Sequence, residues 1–123
     1  MPDKSLPKTL HEQNLQRFGD QDILLATLAQ IHKDLSSFGI DFQFYGHPEN
    51  PYPALHQQLS QVLDGVIKEA RIKTAPLLYR IDVQEKALNR IGSEHREWSS
   101  AEVLSHAIIE RELQKVLSRK YNS

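Results

Sequence analysis

The chain has 123 residues, with 15 Lys plus Arg against 16 Asp plus Glu, six histidines and no cysteine. That length suits one compact domain over residues 1–123 and is too short for two. The missing cysteines exclude disulfides, thiolate metal sites, iron–sulfur clusters and thiol nucleophiles, and a formal charge of −1 gives no general pull towards nucleic acid.

Sixteen Leu against five Val tilt the composition towards helix, because strands favour β-branched residues. The first ten residues hold two prolines and no apolar core, unlike a signal peptide, and no run approaches the ~20 apolar residues that span a bilayer. The expectation is a water-soluble, cytoplasmic chain with no membrane partner. Residues 1–9 read as a flexible arm, followed by a weakly patterned segment from Thr9 to Arg17 and a break at Gly19-Asp20, where Asp20 can cap a helix.

From Asp22 to Phe38 the apolar residues Leu24, Leu28, Ile31, Leu35 and Phe38 recur at spacings of four and three, which predicts a helix ended by Gly39. A long connection follows over about 39–53. Ile40, Phe42 and Phe44 alternate with polar neighbours as in an extended segment, and Gly46, Pro48, Pro51 and Pro53 oppose regular structure. Five of the nine aromatic residues fall between Phe38 and Tyr52. Phe42, Phe44, Tyr45 and Tyr52 therefore form a candidate aromatic surface, or else the rings pin the connection to the bundle.

Pro53 suits the first turn of the next helix, whose stripe runs from Leu55 through Leu59, Val62, Leu63, Val66 and Ile67 to Ala70. The same face continues to Leu77 and Ile81. Pro76 interrupts it, so the sequence implies a kink, a very short break between aligned helices, or a fresh helix from Thr74. Asp82 to Glu85 reads as a capping box opening a short helix that Gly92 ends. Ser99 to Glu102 is a second box, with Trp98 placed to staple onto Val103, and the last helix runs from Ala101 to about Lys120. The fold class is therefore all-α: a single-domain bundle of four or five helices.

Chemistry is sparse. The six histidines contain no pair at three, four or five residues, glycines are scattered singly, and no Gly-x-Ser-x-Gly elbow occurs. Exposed or capping roles suit those histidines. No catalytic, cofactor-binding or metal residue can be named, no cofactor is implied, and the balance leans away from an enzyme. Residues 68–123 carry a surplus of basic side chains, but glutamates interleave them as on solvated helix faces, so nucleic acid is not an expected partner.

The last helix is the exception. Val103, Leu104, Ala107 and Ile108 span one side, and Ile109, Leu113, Val116 and Leu117 another. Such a helix either lies at the centre of its own bundle or meets a second chain. The sequence reading takes the second side as the candidate interface of a homo-oligomer, most simply a dimer. It thus expects a non-enzymatic protein–protein interaction or self-assembly module. The alternative is a small-ligand-binding or enzymatic bundle with its pocket near residues 38–52, and nucleic-acid binding ranks third.

Overall fold

A computed structural model describes residues 21–46, 51–69 and 73–122. It contains five α-helices: α1 (Gln21–Ser36), α2 (Pro51–Glu69), α3 (Thr74–Ile81), α4 (Glu85–Glu94) and α5 (Ser100–Asn122). No strand occurs among the described residues, so the expected all-α class holds. The expected arm and the segment from Thr9 to Arg17 lie outside the described residues. Among those described, no helix is long and apolar enough to cross a membrane.

α5 is the axis of the bundle, and each of the other four helices packs against it. The seven residues from Leu104 to Glu110 are all buried, and Glu112, Leu113 and Val116 extend the burial towards the C-terminal end. A helix buried on every side cannot keep a free face. α2 runs antiparallel to α5 through small residues: the Ser60 and Ser105 hydroxyls both donate to the His56 carbonyl, at 2.6 and 3.2 Å. α1 runs antiparallel to its other half, where Arg119 donates to Gln30 at 2.9 Å and Lys115 stands 3.6 Å from Asp34.

That arrangement corrects the expected interface. Ile109 and Leu113 have no exposed surface, Val116 is buried, and Leu117 packs half-buried against the same core. The second apolar side of α5 is covered by the chain's own helices.

Helix ends are set by backbone chemistry. α1 stops in a Schellman turn: Ile40 N–H donates to the Leu35 carbonyl and Gly39 N–H to that of Ser36, with Gly39 at φ 75° and Ile40 buried beyond it. α3 ends in the same way, Val83 N–H reaching Leu78 and Asp82 N–H reaching Tyr79. Here the left-handed residue is Asp82, at φ 69°. Arg111 steadies it by donating to its carbonyl at 3.1 Å and its carboxylate at 2.8 Å. Asp82 thus closes α3 and does not open α4, whose N-cap is Gln84. Gly92 does not end α4 either, since the helix continues to Glu94.

The prolines are likewise less disruptive than their count suggests. Pro51 and Pro53 both fall in the first turn of α2, where the missing N–H has no intrahelical partner to lose. Pro76 is the third residue of α3, which starts afresh at Thr74. The Ser99 capping box forms as its spacing implies: Glu102 N–H donates to Ser99 Oγ at 3.2 Å and Ser99 N–H to Glu102 Oε1 at 2.9 Å.

Two substitutions check this account. Leu113→Glu puts a charge at a fully buried position of the axis and is expected to cost more than about 4 kcal/mol, abolishing cooperative urea unfolding. A folded, soluble Leu113→Glu protein would refute the central placement of α5. Pro76→Ala is expected to lower stability by about 0.4–1 kcal/mol, since the proline restrains the unfolded chain at a first-turn position it can occupy without strain. An unchanged or raised urea midpoint would instead favour a helix continuous through Pro76.

Candidate functional site

The aromatic connection divides by side chain. Residues 40–46 run extended, with Ile40 and Phe42 buried, Phe44 half-buried and Tyr45 exposed. His32 donates through Nδ1 to the Phe42 carbonyl at 3.2 Å. Gln58 on α2 acts as a substitute strand: its Oε1 accepts from Tyr45 N–H at 2.9 Å and its Nε2 donates to the Tyr45 carbonyl. Gly46 lies beneath the Phe44 ring, where a Cβ would come within 2.5 Å of it. Phe42 and Phe44 thus pin the connection. They also border a recess of about 260 Å³ with Leu28, Ala29 and His32. Of the four aromatic candidates, Tyr45 alone stands mostly in solvent. Tyr52 sits elsewhere, on α2.

The larger apolar concavity lies at the N-terminal end of α5. Ile67 of α2, Thr74 and Leu78 of α3, Leu88 of α4, and Trp98, Ser100, Val103 and Leu104 around the start of α5 enclose a groove of about 440 Å³. Leu104 is buried at its base, while Leu78, Leu88, Trp98 and Val103 are half-buried and Ile67 is exposed. The groove lies where α2 and α3 both lean on α5. Trp98 and Val103 are the staple pair that the capping pattern names. Their role as a groove wall depends on Ile67, Leu78 and Leu88, which no spacing along the chain connects to them.

Behind Trp98 lies a cluster of rings. His95 stacks on it with centroids 3.7 Å apart, and His56 and His106 follow at 4.7 and 5.6 Å. His56 donates through Nε2 to the Glu102 carbonyl at 3.0 Å, and His106 is hydrogen-bonded through Nδ1 to the Tyr52 hydroxyl. Burial pushes the Tyr52 phenol well above its ordinary pKa, so it remains a neutral partner. His106 is buried, contrary to the exposed or capping role expected of the histidines. The three imidazoles come from α2, the α4–α5 turn and α5, and their separations along the chain carry no sign of the cluster. Among the described residues, no three His, Asp or Glu side chains are placed to hold a metal ion.

A third concavity, of about 310 Å³, lies between α4 and α5 and is polar. Arg90 donates to the buried Glu110 carboxylate at 2.6 Å and stands 3.5 Å from Glu94, while Arg111 is engaged by Asp82. Its cations are already matched by acids of the same chain. The groove differs in kind, because what it offers to solvent is apolar surface.

Set against protein-family models, curated proteins and solved structures, the chain gives no match to any of them.

Proposed function

We propose that this protein is a non-enzymatic interaction module that receives apolar side chains of a partner's amphipathic helix in the groove walled by Ile67, Leu78, Leu88, Trp98 and Val103. One observation carries the reading: five apolar side chains, from four helices and the α4–α5 turn, converge on a concavity and remain partly open to water. Leaving them so forgoes roughly 25 cal/mol for each Å² of apolar surface, which an occupant would recover. Helix-in-groove recognition suits walls that are themselves helical and uses anchors spaced three and four apart. Trp98 is the kind of side chain that dominates such contacts.

A second copy of this chain is one partner of that kind. A homodimer would have to use the groove or another open face, because Ile109, Leu113 and Val116 are buried within the protomer. A cytoplasmic setting suits a chain without cysteine. The alternative reading, a small-ligand or enzymatic bundle near the aromatic connection, has only the smaller recess beside Phe42 and Phe44 to support it.

Selection of phage-displayed amphipathic helical peptides against the full chain tests the proposal. Enriched peptides are expected to lose at least tenfold in affinity on Ile67→Glu, a substitution at an exposed wall position, and to bind Tyr45→Ser unchanged. Peptides insensitive to Ile67→Glu, or no enrichment at all, would reject the groove. Loss confined to Tyr45→Ser would move the working surface to the aromatic connection.

A further inference from the structure

We propose that a second copy of this chain fills the groove: two molecules pair about a two-fold axis at the edge of α3, each placing its Tyr79 ring between the other's groove walls. The inference rests on the groove being a binding surface, and it names the partner and the side chain that enters.

Tyr79 is the side chain that the bundle leaves over. It is 89% exposed, the highest value among the described large hydrophobic residues, yet it belongs to the same eight-residue helix that supplies part of the groove. At helical spacing, Leu77 and Ile81 define the inward side of α3, Thr74 and Leu78 the groove side, and Tyr79 follows next to Leu78, pointing away from the bundle. Ala75 and Pro76, one turn back on that outward side, are small and exposed, so α3 raises nothing beside the ring.

A knob and a hole therefore lie side by side on one surface. A closed two-fold pairing requires this, since each copy must present both halves of the contact. The chemistry of the hole suits the knob. Its walls are apolar around a volume of about 440 Å³, and Thr74 and Ser100 bring hydroxyls to the rim, where a phenolic O–H can find its hydrogen-bond partner. A buried tyrosine removes roughly 150–250 Å² from water, and the symmetry makes that contact twice.

Charge selects the same arrangement. From Ile67 to Leu78, the α2–α3 side of the groove carries Lys68, Arg71 and Lys73 against Glu69. From Leu88 to Val103, the α4–α5 side carries Glu94, Glu97 and Glu102 against Arg90 and Arg96, and Arg90 is engaged by the buried Glu110. Asp64 takes up Lys68 at 2.9 Å. Lys73 and Glu97 remain as exposed charges adjoining the wall residues Thr74 and Trp98, one on each side. A two-fold axis running between the sides lays the basic side of one copy on the acidic side of the other, whereas a parallel alignment would oppose like charges. A contact centred on two rings is small for a protein interface, which places the pairing in the weak, micromolar class.

Sedimentation equilibrium of the full chain between about 5 and 500 μM, a range that brackets weak interfaces, tests the pairing. The wild-type mass is expected to rise from one chain towards two. Tyr79→Ser, a change in solvent that the fold tolerates, is expected to weaken association at least tenfold, Ile67→Glu to do the same, and Tyr79→Phe to retain most of it. Lys73→Glu and Glu97→Lys are each expected to weaken self-association, and a mixture of the two variants to recover it as a heterodimer. A wild type that stays monomeric, or association indifferent to Tyr79→Ser or to Ile67→Glu, would overturn the proposal; a mixture that stays monomeric would overturn the two-fold arrangement. Peptides selected on the groove separate these failures from failure of the groove itself. A monomeric chain that still binds them in an Ile67-dependent way leaves the groove standing and removes the second copy as its occupant. At concentrations where the wild type pairs, the peptides are expected to bind Tyr79→Ser more tightly, because no ring competes for the walls, and equal affinity would count against the proposal.

Discussion

One helix without a free face dictates the rest of this structure. From Leu104 to Glu110 every residue of α5 is buried, and that enclosure requires a neighbour on every side. The bundle meets the requirement by laying α1 and α2 antiparallel to the two halves of α5 and placing α3 and α4 across what remains. Burial on this scale also constrains the polar residues of α5. Ser105, His106, Glu110 and Glu112 are all inside, where an unmatched group costs several kcal/mol. Three of them bond to other helices, through the His56 carbonyl and the Tyr52 hydroxyl of α2 and Arg90 of α4, and Glu112 stands 2.8 Å from Lys115 of its own helix. The polar contacts therefore specify which helix lies against which stretch of α5, a task apolar packing alone performs loosely.

The groove follows from the same constraint. Four helices arranged around a single rod cannot all touch one another, and gaps fall where neighbours lean on the rod and not on each other. With eight residues, α3 buries only Leu77 and Ile81 fully, and Leu78 is left at the edge of the opening.

Local rules were legible in the sequence wherever a few neighbouring residues decide the outcome. The stripe from Leu24 to Phe38, Gly39 as a left-handed stop, the alternation from Ile40 to Tyr45 and the Ser99 box are all read from spacing and all recur in the structure. The failures share a physical origin. Asp82 fits a capping box as well as it fits a left-handed stop, and the choice was made by Val83, which buries itself when α3 ends there, and by Arg111, 29 residues away. Gly92 matches a helix stop but continues in helix. The doubled apolar face of α5 was visible, yet its partner was not, because a pattern on one helix records that it is covered and not by which chain. The histidine cluster joins residues up to 50 positions apart, and nothing local marks it.

The same inward turning of polar groups bears on function. Side chains that could do chemistry, namely His106, Glu110, Glu112 and Asp34, are already engaged, by Tyr52, Arg90, Lys115, and Gln30 with Arg80. Withdrawing any of them to act on a substrate would expose a buried charge or an unmatched donor and weaken a helix contact. The groove carries no such commitment. Its walls are apolar, its rim offers the hydroxyls of Thr74 and Ser100, and it can be filled without breaking a bond that the fold requires. The polar centre is thus occupied in holding the helices together, and the apolar edge is the part of the core left open to water.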